Sequence, residues 1–311
     1  MLKQVIEAME LLDAATVSGE DVAALLRSRG LEDITVKTLR GEKGKTDFVR
    51  VRIPGTRGKT VKGDAPTLGV LGRLGGVGAR PGMIGLVSDA DGAITAVATA
   101  LKLADMRLKG DKLPGDVVIG THVCPDAPTI PHKPVPFMGS PVAFADIGGE
   151  EVTPDMDAIL SIDTTKGNRV AKWRGFAITP TAKEGWLLKV SDDLLTIMEI
   201  VTGRTPRVCP LTTQDITPYG NGIDHINSIM QPCTVTEKPV VGVAITTEST
   251  VPGCATGASH PTDIEEATRF CVEVAKAYGK GLCRFYNEDE WRIIEKKYGA
   301  LRLLQTPGHQ S

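Results

Sequence analysis

The chain has 311 residues, 41 % of them hydrophobic and 24 % charged, which is enough to bury a full α/β core. Its formal net charge is −2 and its basic residues are scattered among acidic ones, so nucleic-acid binding is not expected. No apolar run reaches the roughly 18 residues of a membrane span, and the N-terminus lacks the apolar core of a signal peptide. We therefore expect a cytoplasmic protein with no membrane or nucleic-acid partner.

The first elements predicted along the chain are one capped helix and two strands. Ser18 and Asp21 form a capping-box pattern, and the helix after them is predicted to stop at Gly30. Segments 34–40 and 47–53 then alternate apolar and polar residues. That alternation is typical of a half-buried antiparallel pair of strands.

Apolar runs separated by helical segments make up most of the remaining chain. Such runs are typical of strands that are buried on both faces. The runs are 67–72, 83–88, 116–123, 157–163 and 238–249. A helix is predicted at 92–108, and three more follow the caps Ser191, Thr262 and Asn287, while the Pro-rich segment 125–141 is expected to form an ordered surface loop. The alternation predicts a single domain over residues 1–311, a three-layer α/β/α sandwich with a mixed, mostly parallel central sheet.

Two motifs that invite a nucleotide-binding interpretation fail on spacing. GKT occurs at 44–46 and at 58–60, but Leu39 and Ile53 stand where a phosphate loop needs its first glycine. The glycine-rich segment 72–82 lacks a GxGxxG register followed by a helix. No nucleotide cofactor is therefore predicted.

Acidic residues and one histidine follow the predicted central strands. These residues are Asp89, Asp91, Asp126, Asp163 and His260. In a mostly parallel sheet, ligands bind at the carboxyl ends of the strands, so these side chains are expected at one edge. Carboxylates that converge without a matching set of Lys or Arg repel one another, and a divalent cation is the usual remedy. The pattern thus predicts a metal site with Asp89, Asp163, His260 and Asp126 as candidate ligands.

Each of these residues also has an ordinary structural explanation. Asp91 stands where the N-cap of the next helix is expected, and His260 taken alone is more often a plain loop histidine. The six cysteines form no CxxC pair, and buried, inert thiols are their simplest interpretation. The metal prediction therefore depends on the set of residues rather than on any one of them.

The order of segments resembles the two-zinc aminopeptidase and carboxypeptidase superfamily over residues 1 to about 280, and most of all the uncharacterised domain of unknown function 1177. The resemblance lies in SDADGAITAVATALKLADM, PDMDAILSIDTTKGNR and ASHPTDIEEATRFC. It implies a zinc-peptidase-like fold, a homo-oligomer, and a divalent metal, zinc foremost, as one or two ions. It also implies that Asp89 bridges the metals, that Asp163 holds one of them and that His260 holds the other.

The sequence departs from that superfamily at two motifs. Arg73 and Gly75 stand where the superfamily has His-x-Asp, and HVCPDAP stands where it has a Glu-Glu pair. Asp126 is then the candidate general base or replacement ligand, and His122 is a candidate ligand or base at the same strand end. His225 is a candidate donor to an oxyanion.

Three functions stay open at this point. The first is a metal-dependent hydrolase of small amide or peptide-like substrates with a remodelled metal site. The second is a catalytically inactive binding protein in which the Arg73 guanidinium replaces a metal's charge and holds a substrate carboxylate. The third is a cysteine-dependent amidase or isomerase, with Cys254 activated by the nearby His260.

Overall fold

A computed structural model describes residues 1–73, 75–78, 85–131, 133, 136–225, 228–250 and 256–309. Within these residues the α-helices are α1 (Leu2–Leu12), α2 (Gly19–Ser28), α3 (Asp91–Leu108), α4 (Phe144–Glu151), α5 (Asp192–Thr202), α6 (Pro261–Gly279) and α7 (Glu288–Tyr298). Short 3-10 helices lie at Lys59–Val61, Ser88–Ala90, Thr213–Ile216, Ser228–Val235 and Arg302–Gln305. No helix in these ranges is long and apolar enough to cross a membrane.

The strands form one large mixed sheet and one small hairpin. They are β1 (Ile34–Gly41), β2 (Gly44–Ile53), β3 (Leu68–Gly72), β4 (Val117–Val123), β5 (Thr129–Ile130), β6 (Phe137–Met138), β7 (Ala158–Thr164), β8 (Gly175–Ile178), β9 (Thr181–Lys183), β10 (Trp186–Leu188) and β11 (Val240–Thr246). The large sheet has the order β1-β2-β4-β3-β7-β11-β9-β10, with β8 also paired to β11, and β5 pairs with β6 separately. The four central strands β4, β3, β7 and β11 are parallel, while the flanking strands pair antiparallel.

Alternate residues of the central strands point into two separate cores. Val70 of β3 and Leu160 of β7 belong to the larger core, which helices α1, α3, α5 and α6 cover. Leu71 and Ile159 belong to the smaller core, under α4 and the 3-10 helix Ser228–Val235. Helices therefore lie on both faces of the sheet, which confirms the predicted three-layer α/β/α sandwich.

Most of the local predictions are confirmed. Segments 34–40 and 47–53 are the antiparallel pair β1 and β2, and four of the five apolar runs contain the central parallel strands. Ser18 forms the expected capping box, Ser191 accepts a hydrogen bond from the Leu194 N–H, and Asn287 caps α7. These caps could be predicted from short polar sequence patterns because each cap depends only on residues in the first turn of its own helix.

The run 83–88 is not a central strand over its described residues 85–88; residues 83 and 84 lie outside the described part. Gly85 has a φ of +81°, which does not continue a strand. The Leu86 N–H donates to Asp13 Oδ1 and the Ser88 N–H donates to the Thr256 carbonyl, at 2.7 Å each. Both neighbours of β3 in the sheet are already other strands, β4 and β7. Asp89 therefore lies in a 3-10 helix before α3, not at a strand end.

Three further local predictions need correction. Asp91 is the first residue of α3 rather than its N-cap, which is Ala90. Pro at the first helical position starts α6 early, so His260 takes the N-cap position instead of Thr262. The segment 125–141, of which 132, 134 and 135 lie outside the described residues, contains the hairpin β5–β6 rather than only loop.

Candidate functional site

The first turn of α3 lies directly on the carboxyl ends of β3 and β7. A Cβ atom at Gly92 would lie 2.6 Å from the carbonyl oxygen of Ile162 and 2.7 Å from that of Arg73. Only a residue without a side chain permits this approach. The contact carries the two aspartates before Gly92, Asp89 and Asp91, to the edge at which β3 and β7 end.

Asp91 is fully buried at this edge and is paired with Lys166. The Lys166 Nζ atom donates to Asp91 Oδ2, and the two side chains are 3 % and 0 % exposed. The Ser259 hydroxyl donates to Asp91 Oδ1 at 2.5 Å. Burial raises the pKa of Asp91, although Lys166, Ser259 and His260 act in the opposite direction. Asp91 thus joins the start of α3 to the segments that follow β7 and precede α6.

A second buried ion pair lies beyond the end of β3, between Arg73 and Glu151 of α4. Arg73 Nη1 donates to Glu151 Oε2, and both side chains are 1 % exposed. The guanidinium carbon lies 4.3 Å from the centre of the Phe144 ring, which covers it. Burial raises the pKa of Glu151; the Arg73 charge opposes this, and the charge of Asp163 adds to it. Arg73 therefore neutralises an acid of the chain itself.

The two predicted aspartate ligands are buried at the same end of the sheet. Asp163 is 1 % exposed, and its Oδ1 atom accepts the Thr164 backbone N–H at 2.7 Å. Asp89 is 2 % exposed, and its Oδ2 atom lies 2.9 Å from where a Cβ on Gly76 would be. Both carboxylates are thus buried near the end of β7, and their convergence on a metal and their role as ligands stay predictions.

His122 is enclosed within the sheet, and both of its ring nitrogens are engaged. The Gly75 backbone N–H donates to Nε2 at 3.0 Å. Because an N–H can only donate, Nε2 must accept, so the proton is on Nδ1, 3.0 Å from Thr46 Oγ1. Burial and the Arg73 charge lower the pKa of His122 to about 3. A role as ligand or base would require breaking these hydrogen bonds, and that role stays a prediction.

The other two predicted catalytic residues, Asp126 and His225, are not members of the buried ion pairs. Asp126 is exposed, beyond the end of β4. His225 is half-buried, and its Nε2 atom donates to the Thr217 carbonyl at 3.0 Å. Its ring lies 4.9 Å from that of Tyr219, which in turn contacts Phe144. His225 is therefore linked to Arg73 through two aromatic rings rather than by a direct contact.

An open cavity of about 600 Å³ adjoins the start of α6. His260 is exposed at its wall, and Arg174 is exposed beside it. Glu248 and Asp263 line the same cavity, so it offers charges of both signs. Burial raises the pKa of Asp263, opposed by the charges of His260 and Lys166. One carboxyl of the cavity, Asp263, thus lies within electrostatic range of Lys166.

The residues at this edge do not fit the two-metal centre that the sequence resemblance implies. Among the described residues, no three His, Cys, Asp or Glu side chains are grouped closely enough to hold a metal. A Cβ at Gly75 would lie 1.5 Å from the His122 carbonyl oxygen, so this backbone has no room for an aspartate there. Arg73 places a guanidinium in the slot of the expected histidine. A fixed cation thus lies where the resemblance puts one of the metal ligands.

The described cysteines are buried thiols. Burial raises the pKa of Cys124 to about 11 and those of Cys209, Cys233 and Cys283 to about 12; it also raises the pKa of Cys271. A thiol with such a pKa is a poor nucleophile at neutral pH. Cys254, the candidate nucleophile, lies outside the described residues, so the thiol hypothesis stays a prediction.

Sequence reasoning missed the partners that balance the acidic residues. Lys166 and Glu151 were not candidates, and Ser259 was only a neighbour of His260. One usable signal existed: Lys166 stands three residues after Asp163, just past a buried strand, so it had to lie at the same edge. Two acids at this edge, Asp91 and Glu151, are therefore paired with basic residues, Lys166 and Arg73.

The fold and this edge together define a three-layer α/β protein whose buried charges gather at the carboxyl ends of its parallel strands. The chain belongs to the family described as Protein of unknown function (DUF1177), whose model matches residues 37–308. None of the curated proteins compared with it matches. A solved structure similar to this chain is the LapA aminopeptidase of Legionella pneumophila, with 10 % identity and a TM-score of 0.49. The match covers 91 % of this chain and 71 % of that one.

Proposed function

We propose that the protein binds small peptide-like ligands at this edge without a bound metal ion. The proposal depends on one observation: two ion pairs, Arg73–Glu151 and Lys166–Asp91, are buried at this edge. Each supplies inside the chain the positive charge that a metal would otherwise bring to the carboxylates. Asp91 and Glu151 thus have their counter-charges before any ligand arrives.

The side chains around the open cavity carry charges of both signs, which favours a ligand with one negative and one positive group. Arg174, His260 and the positive end of α6 favour a carboxylate. Glu248 and Asp263 favour an ammonium group on the other side. Amino acids and short peptides carry both groups, which matches the small amide or peptide-like ligand expected from the sequence. Hydrolysis would be a further property, and the proposal does not require it.

Replacing Arg174 by alanine is expected to weaken dipeptide binding at least tenfold, because a charge-assisted hydrogen bond is worth about 1.5–3 kcal/mol. Isothermal titration calorimetry with a simple dipeptide, run in chelator, measures the effect. Arg292→Ala is the matched control, since that exposed arginine lies on α7, away from the cavity. Equal affinities of wild type and Arg174→Ala would contradict the proposed site.

The metal-dependent hydrolase is the competing function, and one observation supports it: Asp89 and Asp163 are both buried near the end of β7, and His260 is the N-cap of α6. The two functions differ in metal content. We expect elemental analysis of protein purified without chelator to find well under one equivalent of zinc, manganese or cobalt, and ligand binding to survive dialysis against EDTA. A stoichiometric metal whose removal abolishes activity would favour the hydrolase instead.

A further inference from the structure

A second cavity, of about 300 Å³, lies between β10 and α7, and it shares no lining residue with the cavity beside α6. Its wall includes all of β10, Trp186–Leu188, and the chain that continues to the start of α5. Successive side chains of a strand point to opposite faces, so a cavity that touches all three residues follows the edge of the strand. One stripe of α7 and its cap completes the wall, with Asn287, Glu290, Trp291 and Ile294.

β10 is the last strand of the large sheet, and among the described residues no strand pairs with its outer side. Its hairpin with β9 turns over residues 184–185, so Lys183 and Trp186 exchange hydrogen bonds. The next residue, Leu187, then directs its N–H and C=O outward. In the described part of the chain no other segment makes a backbone hydrogen bond with Leu187. An unpaired edge of this kind can accept an extended peptide as a further strand.

Three aromatic residues line this cavity, and contacts with the rest of the fold hold two of them in place. Trp186 Nε1 donates to the Gly299 carbonyl at 2.9 Å. The Trp291 ring lies 6.3 Å from that of Tyr286, and the Lys183 ammonium lies 4.6 Å from the centre of the Trp291 ring. A preformed pocket of this size and lining suits one bulky apolar side chain.

The charged side chains at the rim of the cavity favour a positive charge on the ligand. Lys189 is paired with Asp192 at 3.1 Å, and Arg284 with Asp193 at 3.5 Å. Glu290 is exposed, and within the described ranges no ion pair neutralises it. The rim therefore carries one unbalanced negative charge, with which a basic side chain of the ligand can pair.

We propose that this edge binds an extended segment of a partner protein, which adds a strand to β10 and inserts one bulky apolar side chain into the cavity lined by Trp186 and Trp291. A basic side chain beside the apolar one pairs with Glu290. Main-chain hydrogen bonds to the strand edge supply affinity, and the pocket selects the side chain. The segment needs no free amino or carboxyl terminus, so this site is separate from the one proposed above beside α6.

The test is titration of the wild-type protein with the blocked peptide acetyl-Val-Phe-Val-Lys-amide, followed by tryptophan fluorescence. Trp186 and Trp291 line the cavity and Trp173 does not, so we expect a saturable change that Trp173→Phe retains. Replacing Phe in the peptide by Ala should weaken binding at least about tenfold, because the pocket is then left empty. The blocked peptide lacks both charged termini, so it does not report on the site beside α6.

Alternate N-methylation of the peptide separates strand addition from simple apolar binding. An added strand directs the amide of every second residue towards β10. One peptide is N-methylated at both Val residues and another at Phe and Lys. One of the two should lose at least about tenfold in affinity, while the other stays within about threefold of the parent peptide. Equal affinities of the two methylated peptides would overturn the proposal.

Glu290→Gln should weaken binding of the parent peptide about two- to fivefold, the usual size of an exposed ion pair. Glu295→Gln is the matched control, since it removes an exposed acid of α7 that does not line the cavity. No saturable change with the parent peptide, equal binding of the Ala peptide, or a change that Trp173→Phe abolishes would overturn the proposal. A wild-type dimer that Leu187→Pro makes monomeric would also overturn it, because a second copy would then occupy the edge.

Discussion

Replacing Arg73 by methionine should destabilise the fold by about 3–5 kcal/mol. The guanidinium and the Glu151 carboxylate are each 1 % exposed, so the substitution leaves a buried carboxylate without its counter-charge. The methionine side chain is apolar and similar in length to that of arginine. The substitution therefore removes the charge while keeping most of the packing. The cost is the desolvation of Glu151, which the ion pair offsets in the wild type.

The loss of stability in Arg73→Met should depend on pH, because the Glu151 carboxyl changes its protonation state. Burial already raises the pKa of this carboxyl in the wild type, and the variant lacks the opposing charge of Arg73. The native variant therefore keeps a proton that the unfolded chain releases, so it binds more protons than the unfolded state above the ordinary glutamate pKa of about 4.3. Its stability falls as pH rises through that window, and the deficit relative to wild type is smallest in acid.

Urea unfolding at pH 5 and pH 8 measures both effects. Arg204→Met is the control, because Arg204 pairs with Glu266 at a position where its side chain is 36 % exposed, and we expect a loss of no more than about 1 kcal/mol. The double variant Arg73→Met/Glu151→Leu should recover most of the loss, since it removes both charges. A loss for Arg73→Met no larger than that of the control would show that Glu151 finds another partner.

The fold was largely predictable from the sequence because its central strands are apolar on both faces. In a run such as 116–123 nearly every residue is apolar, which indicates a strand buried on both faces rather than one with a face in water. The run 83–88 has the same composition and is not a strand over its described residues. Sheet order decides this case: β4 and β7 already flank β3, and this information is absent from any single segment.

The site was less predictable because its chemistry depends on pairs that are distant in sequence. Asp163 lies at the end of β7, as the strand-end rule predicts, whereas Asp89 and Asp91 reach that edge through the 3-10 helix Ser88–Ala90 and the first turn of α3. Their partners do not follow from it. Glu151 reaches Arg73 across 78 positions, and Lys166 reaches Asp91 across 75. An acid that appears unbalanced in the sequence can therefore be balanced in the fold.

Replacing Gly92 by alanine should lower the stability of the fold, whereas helix propensity alone predicts that it would raise it. Alanine normally stabilises a helix by about 1 kcal/mol relative to glycine. At Gly92 the added Cβ would press on the carbonyl oxygens of Ile162 and Arg73, at 2.6 and 2.7 Å, so the start of α3 must move off the sheet. We expect Gly92→Ala to lose about 1–3 kcal/mol, the usual cost of overpacking.

Because Asp91 is the residue before Gly92, that movement should also loosen its pair with Lys166 and weaken dipeptide binding. Gly149→Ala is the matched control: this glycine also lies within a helix, α4, but an added Cβ would meet nothing within 4 Å. It should gain about 0.5–1 kcal/mol in urea unfolding. If Gly92→Ala gains stability as Gly149→Ala does, then the helix does not lie on the strand ends as closely as the fold requires, and the edge at which we place the ligand is not held by α3.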